Sequence, residues 1–184
     1  MTFRPADAPS PFGFANKLER VAFRLAWLAL ARWTPPQLHG WRALVLRAFG
    51  ARIGSGTRVY SSVRVWLPRN LDIGDGSLIG PGVELYNQGL VTIGSHCVIS
   101  QRAVLCASTH RVNDPAFTLE TRPIRLEDEC WVAAEAFVGP GVTMGQGSVL
   151  GARAALFADT TSMTIHRGNP ASQIGVRTWN DKRG

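Results

Sequence analysis

Aliphatic side chains recur every six residues along most of this chain, and no other feature restricts its fold so tightly. Ile53, Val59 and Val65 form the first of five sets of three. The others are Ile73, Ile79 and Leu85; Ile93, Ile99 and Leu105; Leu126, Val132 and Val138; and Met144, Leu150 and Leu156. A period of six is too short for a helical repeat and too long for strand alternation, so each hexad is expected to hold a short strand and a turn. Four residues after most anchors stands a small or thin side chain, among them Thr57, Ser77, Cys97, Thr109, Ala136 and Ala154. Glycine often follows the anchor directly, as at Gly54, Gly74, Gly94 and Gly145, where a tight corner with φ above zero is expected. Three hexads make one triangular coil of a parallel β-helix, with the stacked anchors as its core. The fold class is mainly β, of about five coils.

The sets begin at Ile53, Ile73, Ile93, Leu126 and Met144, so the spacings are 20, 20, 33 and 18 residues. Set against the 18-residue coil, the third set carries 15 extra residues, the length of a functional loop on a rigid scaffold. The stretch "ASTHRVNDPAF" opens that loop. His110 closes the third hexad of its set, so the scaffold holds its backbone while its side chain faces the loop. The expected organisation is an extension with an amphipathic helix over 1–50, a β-helix over 51–165 with an inserted loop at 107–123, and a tail over 166–184.

A chain of 184 residues that is 45% hydrophobic and 18% charged is a globular protein with one main domain. A net charge of +7 favours anionic partners, whether nucleic acid, an acidic membrane or a phosphate-bearing cofactor. Cys97, Cys106 and Cys130 lack metal-ligand spacing and read as reduced thiols of a cytosolic protein. Within "FANKLERVAFRLAWLALARW" the longest uncharged run, Leu25 to Ala31, is far short of the roughly 20 apolar residues that span a bilayer. Ala29-Leu30-Ala31 resembles a signal-peptidase site, but Arg24 interrupts the apolar segment before it. Phe14, Leu18, Val21, Leu25 and Leu28 form one helical stripe, with Lys17, Arg20, Arg24 and Arg32 making the polar side cationic. That helix either lies on an anionic membrane, as a peripheral contact, or packs on the first coils or a neighbouring subunit.

From Trp41 to Arg177, through "WRALVLRAFGARIG", "NLDIGDGSLIG", "LYNQGLVTIGSHCVIS", "STH", "WVAAEAFVGPGVTMGQGSVLGA" and "RGNPASQI", the sequence resembles the left-handed β-helix hexapeptide-repeat acyltransferases. Within them it is similar to exopolysaccharide O-acetyltransferases of the colanic acid type. The resemblance implies a left-handed coil, a cytoplasmic homotrimer and acetyl-CoA in a groove between neighbouring β-helices. It also implies a loop histidine as base, on the motif position of His110, and neither a metal nor a nucleic-acid partner. The implied acceptor is a glycan or lipid-linked saccharide. Asn87 matches a family position near the acetyl group and acceptor; read on its own it is a left-handed turn residue. Ser108 would orient His110 or the acceptor, and Glu84 would contact sugar hydroxyls; read on their own they are a solvated loop serine and a solvated corner carboxylate. Trp131 opens a "W-aliphatic-Gly" motif in which Ala133 replaces the glycine, and packing beneath the loop is its expected role. Ala134, Gly151 and Ala152 match positions lining the pantetheine arm. Ala158 stands where relatives often have a lysine near the cofactor phosphates, leaving Arg153, Arg167 and Arg177 as replacements. Arg111 follows the histidine where aspartate is usual, and Asp114 is a nearby acid that could substitute.

Acetyl transfer to a sugar hydroxyl needs a group that accepts the hydroxyl proton, and histidine in that role contributes about 10² to 10⁴ in rate. His110 fits that role, the alternative being a surface loop histidine with none; His39 precedes the coils, His96 lies on a regular corner and His166 belongs to the tail, which gives them weaker claims. Two other classes compete. A zinc enzyme like the gamma-type carbonic anhydrases needs three convergent histidines, of which only His96 and His110 are candidates. A non-catalytic solenoid has no need of the loop.

Overall fold

The computed structural model describes residues 11–179; the remaining ends of the expected extension and tail, 1–10 and 180–184, lie outside the described residues. Short strands alternate with corners, and successive coils pair in parallel into three sheets. The first sheet stacks Arg52–Ile53, Leu71–Ile73, Val91–Ile93, Ile124–Leu126 and Thr143–Met144. The second stacks Arg58–Val59, Leu78–Ile79, Val98–Ile99, Trp131–Val132 and Val149–Leu150, and the third Arg64–Val65, Glu84–Tyr86, Val104–Cys106, Phe137–Val138 and Ala155–Leu156. Register places Ile53, Ile73, Ile93, Leu126 and Met144 in one column. The second and third sheets repeat this with their own anchors, so a six-residue sequence period becomes three columns of stacked aliphatics. Every anchor is buried except Val65, which is half-buried at the first coil.

The glycines after the anchors do not supply the left-handed corners. Those fall two residues further on, at Gly56 (φ 68°), Gly76 (64°) and Gly147 (67°), and at the non-glycine residues His96 (56°) and Glu129 (62°). Gly54 and Gly74 answer a constraint of space instead. A Cβ on Gly54 would stand 2.5 Å from the Asp75 amide nitrogen, and one on Gly74 2.6 Å from that of Ser95. Neighbouring coils approach too closely there for any side chain.

Helices α1 (Phe14–Leu30) and α2 (His39–Ala48) cover the first coil. The sequence reading contains no second helix; its short pattern places Ala43, Val45 and Leu46 in the core against the first strands. α1 joins the body through buried Phe23 and Trp27, with the Trp27 indole donating to the Ser61 carbonyl at 3.3 Å. Arg42 is wholly buried with no carboxylate partner among the described residues and donates to the carbonyls of Val59, Pro35 and Pro36 and the Thr34 hydroxyl, fastening the turn between the helices. At the other end, Thr164–Arg167, which straddles the expected boundary between β-helix and tail, adds a sixth strand to the second sheet, and Ser172–Val176, within the expected tail, pairs antiparallel with it. His166 occupies the anchor position of this turn above Leu150, so no aliphatic residue marks it in the sequence.

Candidate active site

The inserted segment is a hairpin. Ser108–His110 pairs antiparallel with Leu119–Thr121, setting His110 opposite Leu119. It leaves the coil at the corner between the third and first sheets and returns there, where the Arg122 amide donates to the Ala107 carbonyl at 3.0 Å. Thr109, in the thin-residue series by spacing, belongs to the hairpin and not to the core. Gly89 lies against the hairpin root: an added Cβ would stand 3.0 Å from the Ala107 carbonyl oxygen and 3.3 Å from Thr121.

His110 Nδ1 lies 2.6 Å from the carbonyl oxygen of Phe117. A carbonyl only accepts, so Nδ1 carries a proton, and in the neutral imidazole Nε2 keeps its lone pair. The Phe117 ring stacks on the imidazole at 4.2 Å between centroids and 9° between planes. Phe117 takes a left-handed φ of 52°, uncommon for an aromatic residue, and Asp114 holds the turn that imposes it. The Asp114 carbonyl accepts from the Phe117 amide at 2.8 Å and its carboxylate from the Ala116 amide at 2.9 Å. The Thr118 hydroxyl donates to the other carboxylate oxygen. That hydroxyl first, and the Ala116 amide second, hold the Asp114 carboxyl below the usual carboxylate range. Asp114 therefore reaches His110 through a carbonyl, not as a partner acid. Nothing in residue type distinguishes Phe117; its role follows from the turn "NDPAF".

Ser108 is buried and, two residues from His110 on one strand, shares its face of the hairpin. Its hydroxyl stands 4.0 Å from the Cys106 sulfur. Asn87 is fully buried, and its oxygen accepts from the Trp66 and Leu67 amides while its nitrogen donates to the Leu67 carbonyl. The amide thus braces the corner beneath the hairpin instead of facing an acceptor, and its φ is not left-handed. Glu84 points outward from the third sheet, 3.6 Å from Arg64. Gln88 is a residue the sequence reading passes over: its nitrogen donates to the Tyr86 hydroxyl, while its buried oxygen has no partner among the described residues.

The residues expected around a cofactor fall elsewhere, on the second sheet and its bordering corners. Trp131, on that sheet, does not pack beneath the hairpin; its indole donates to the Ser100 hydroxyl at 3.0 Å. It lines a cleft of about 270 Å³ with Val98, Arg177 and Trp179. Arg177 donates to the carbonyls of Glu129 and Gly147 and lies 3.8 Å over the Trp179 ring. Ala134 and Ala152 occupy the corner after the second sheet, beside Arg153, whose guanidinium is bonded to Glu135 at 2.7 Å. Arg102 binds the other oxygen of Glu135. The Gly151 amide is taken by the His166 carbonyl, and a Cβ there would stand 2.8 Å from the Arg167 side chain. Packing by Arg167 accounts for that glycine. Arg167 itself is exposed with no ion pair among the described residues, which makes it the available cation of the three replacements. His96 and His110 stand at different corners, and burial holds the His166 imidazole below its ordinary pKa. Among the described residues no three His, Cys, Asp or Glu side chains gather to hold a metal.

The chain is 38% identical over 171 residues to the Escherichia coli (strain K12) protein named as the colanic acid biosynthesis acetyltransferase WcaF, covering 93% of this chain and 94% of that one. It belongs to the colanic acid biosynthesis acetyltransferase family. The chain is accordingly an acyltransferase. No protein-family model matches it. The fold agrees with that of the hexapeptide-repeat acetyltransferase VCA0836 of Vibrio cholerae, solved with acetyl coenzyme A (TM-score 0.81, 21% identity, 94% and 92% of the two chains). It agrees equally with a galactoside acetyltransferase solved with coenzyme A (TM-score 0.82, 18% identity, 97% and 92%).

Proposed function

We propose that this colanic-acid-type acetyltransferase moves an acetyl group from acetyl-CoA to a hydroxyl of an exopolysaccharide or related glycan precursor, with His110 as general base. The observation that carries the reading is the hydrogen bond from His110 Nδ1 to the Phe117 carbonyl, which leaves Nε2 able to accept a proton. Nε2 takes the acceptor's hydroxyl proton as its oxygen attacks the thioester carbonyl; the C–S bond then breaks, and the proton passes from the imidazolium to the departing sulfur. Ser108, on the same hairpin face, and Glu84 are the acceptor-side groups.

Coenzyme A would lie along the second sheet, where Trp131 and Arg177 line the cleft, Ala134, Gly151 and Ala152 keep the corner low, and Arg153 and Arg167 add positive charge. In a triangular coil the corner bearing His110 is opposite that sheet. One chain cannot bring both to the same thioester, so the reading requires a neighbouring copy, and a homotrimer with three equivalent grooves satisfies it. WcaF's colanic acid name and the galactoside acetyltransferase support a saccharide acceptor. The test is a screen of acceptor saccharides with acetyl-CoA, following free thiol and product mass. An acetylated saccharide formed in step with thiol release is expected; thiol release that no saccharide stimulates would remove the glycan from the proposal.

A further inference from the structure

Helix α1 has two apolar sides, and only the smaller one meets the protein. Phe23 and Trp27 are buried against the first coil, while Phe14, Leu18, Val21, Leu25 and Leu28 project roughly 180° away at 3.6 residues per turn. Phe14 is 80% exposed, and Leu18, Val21, Leu25 and Leu28 each expose more than half of their surface. Trp33, just past the helix, is also 80% exposed. The stripe that the sequence pattern assigns to either packing or a membrane thus faces away from the chain that carries it.

The charges around the stripe have one sign. Lys17 and Arg24 border it along one side, exposed Ala22 and Ala29 along the other, and Arg32 follows the helix end. Glu19 is the only acid between residues 11 and 50; it turns toward the body and pairs with Arg69 at 2.9 Å. A continuous apolar stripe with a cationic border and no outward acid complements an anionic phospholipid surface. A second copy would bring the same cations against themselves in a symmetric contact, and the whole chain holds 13 acids against 20 bases. Seventeen residues with four charges cannot cross a bilayer, and no helix among the described residues is long and apolar enough to do so.

We propose that this face of α1 docks the protein in the plane of an anionic phospholipid surface, with the stripe among the acyl chains and Lys17, Arg24 and Arg32 at the phosphates. The proposal is independent of the acetyl-transfer reading, because its test needs no turnover. The full chain is sedimented with vesicles of phosphatidylcholine alone and with vesicles containing phosphatidylglycerol, at low and high salt. Binding is expected to the second vesicles and to weaken with salt. Leu18→Gln/Leu25→Gln should lower vesicle affinity about 10-fold or more while leaving the melting temperature nearly unchanged, because both side chains are exposed. Lys17→Glu/Arg24→Glu should abolish the preference for phosphatidylglycerol. Absence of vesicle binding by the parent chain, or unchanged binding by the leucine variant, overturns the proposal. So does a fall in light-scattering mass for the leucine variant with no vesicle binding by the parent, which would assign the face to another copy of the chain.

Discussion

The imidazole of His110 is fixed by one residue in two ways: Phe117 accepts its Nδ1 proton at 2.6 Å and lies flat against its ring at 4.2 Å. Both contacts depend on the left-handed turn that Asp114 ties down. Asp114→Ala should therefore cut kcat by roughly 10-fold with little change in coenzyme A affinity, because the base loses its orientation rather than its identity. Asp114→Asn, which keeps an acceptor for the Ala116 amide, should recover part of the loss. Steady-state kinetics with the dissociation constant for coenzyme A separate the two effects; a loss confined to KM would contradict this role.

The Asp114 carboxyl also sets a pH expectation. Its folded-state pKa is depressed, by the Thr118 hydroxyl before the Ala116 amide, so its contribution to the turn is present above the unfolded value of about 3.9 and lost as pH falls through the folded value. The turn should stay locked throughout the neutral range. Any acid-side fall in turnover well above about pH 4 then belongs to another group. The pH–rate profile of Asp114→Asn should keep that fall in place; its disappearance would assign it to the carboxylate.

Asn87 is a case where the structure separates bracing from binding. Asn87→Leu would leave the Leu67 amide buried without a partner, at a cost of about 1–3 kcal/mol, while the Trp66 amide keeps the Leu85 carbonyl and the Leu67 carbonyl keeps the Asn70 amide. Urea unfolding should show the loss. A variant of parental stability with a raised KM for the acceptor would return Asn87 to the substrate.

Coenzyme A affinity should fall with ionic strength if cations hold its phosphates. Arg167 is the exposed cation of its group without an ion pair among the described residues, so Arg167→Gln should weaken binding and flatten the salt dependence more than Arg153→Gln, whose guanidinium is bound to Glu135. Titration at two salt concentrations measures both slopes. Equal slopes for the parent and Arg167→Gln would place the phosphates elsewhere.

The placement of the hairpin corner opposite the second sheet predicts that the site is shared. Light scattering should give a trimer. A mixture of His110→Ala with a variant disabled in the cleft, Arg177→Ala, should regain activity after the subunits are exchanged, because some grooves then combine an intact hairpin with an intact cleft. No recovery from two folded, exchanging variants would place the whole site within one chain.

Much of this architecture is legible in the chain because each hexad carries its own aliphatic anchor. Leu105 stacks on Leu85 and Val138 without any long-range information beyond the period. What escapes is what the period does not encode. The sixth turn has His166 in the anchor position, and α2 is too short for its stripe to stand out. Gly54 reads as a corner residue, although coil-to-coil approach is what excludes its side chain. In the site, His110 is legible as the histidine where the repeat breaks. The roles of Phe117 and Asn87 rest on backbone groups, a carbonyl in one case and two amides in the other, and residue type carries no mark of those.

The measurement that bears most directly on the account is acetyl transfer by His110→Ala, made with a folding check and a coenzyme A titration on the same preparation. His110 stands on a hairpin outside the stacked core, and the cleft lies on the opposite sheet, so melting temperature and coenzyme A affinity should be close to those of the parent. Turnover should fall by about 10² or more, since the other proton acceptors of the hairpin are engaged, Asp114 in the turn and Glu120 with Arg122. A folded, coenzyme-A-binding His110→Ala protein that transfers acetyl at nearly the parental rate would contradict the assignment of the base and, with it, the reason given for the break in the repeat.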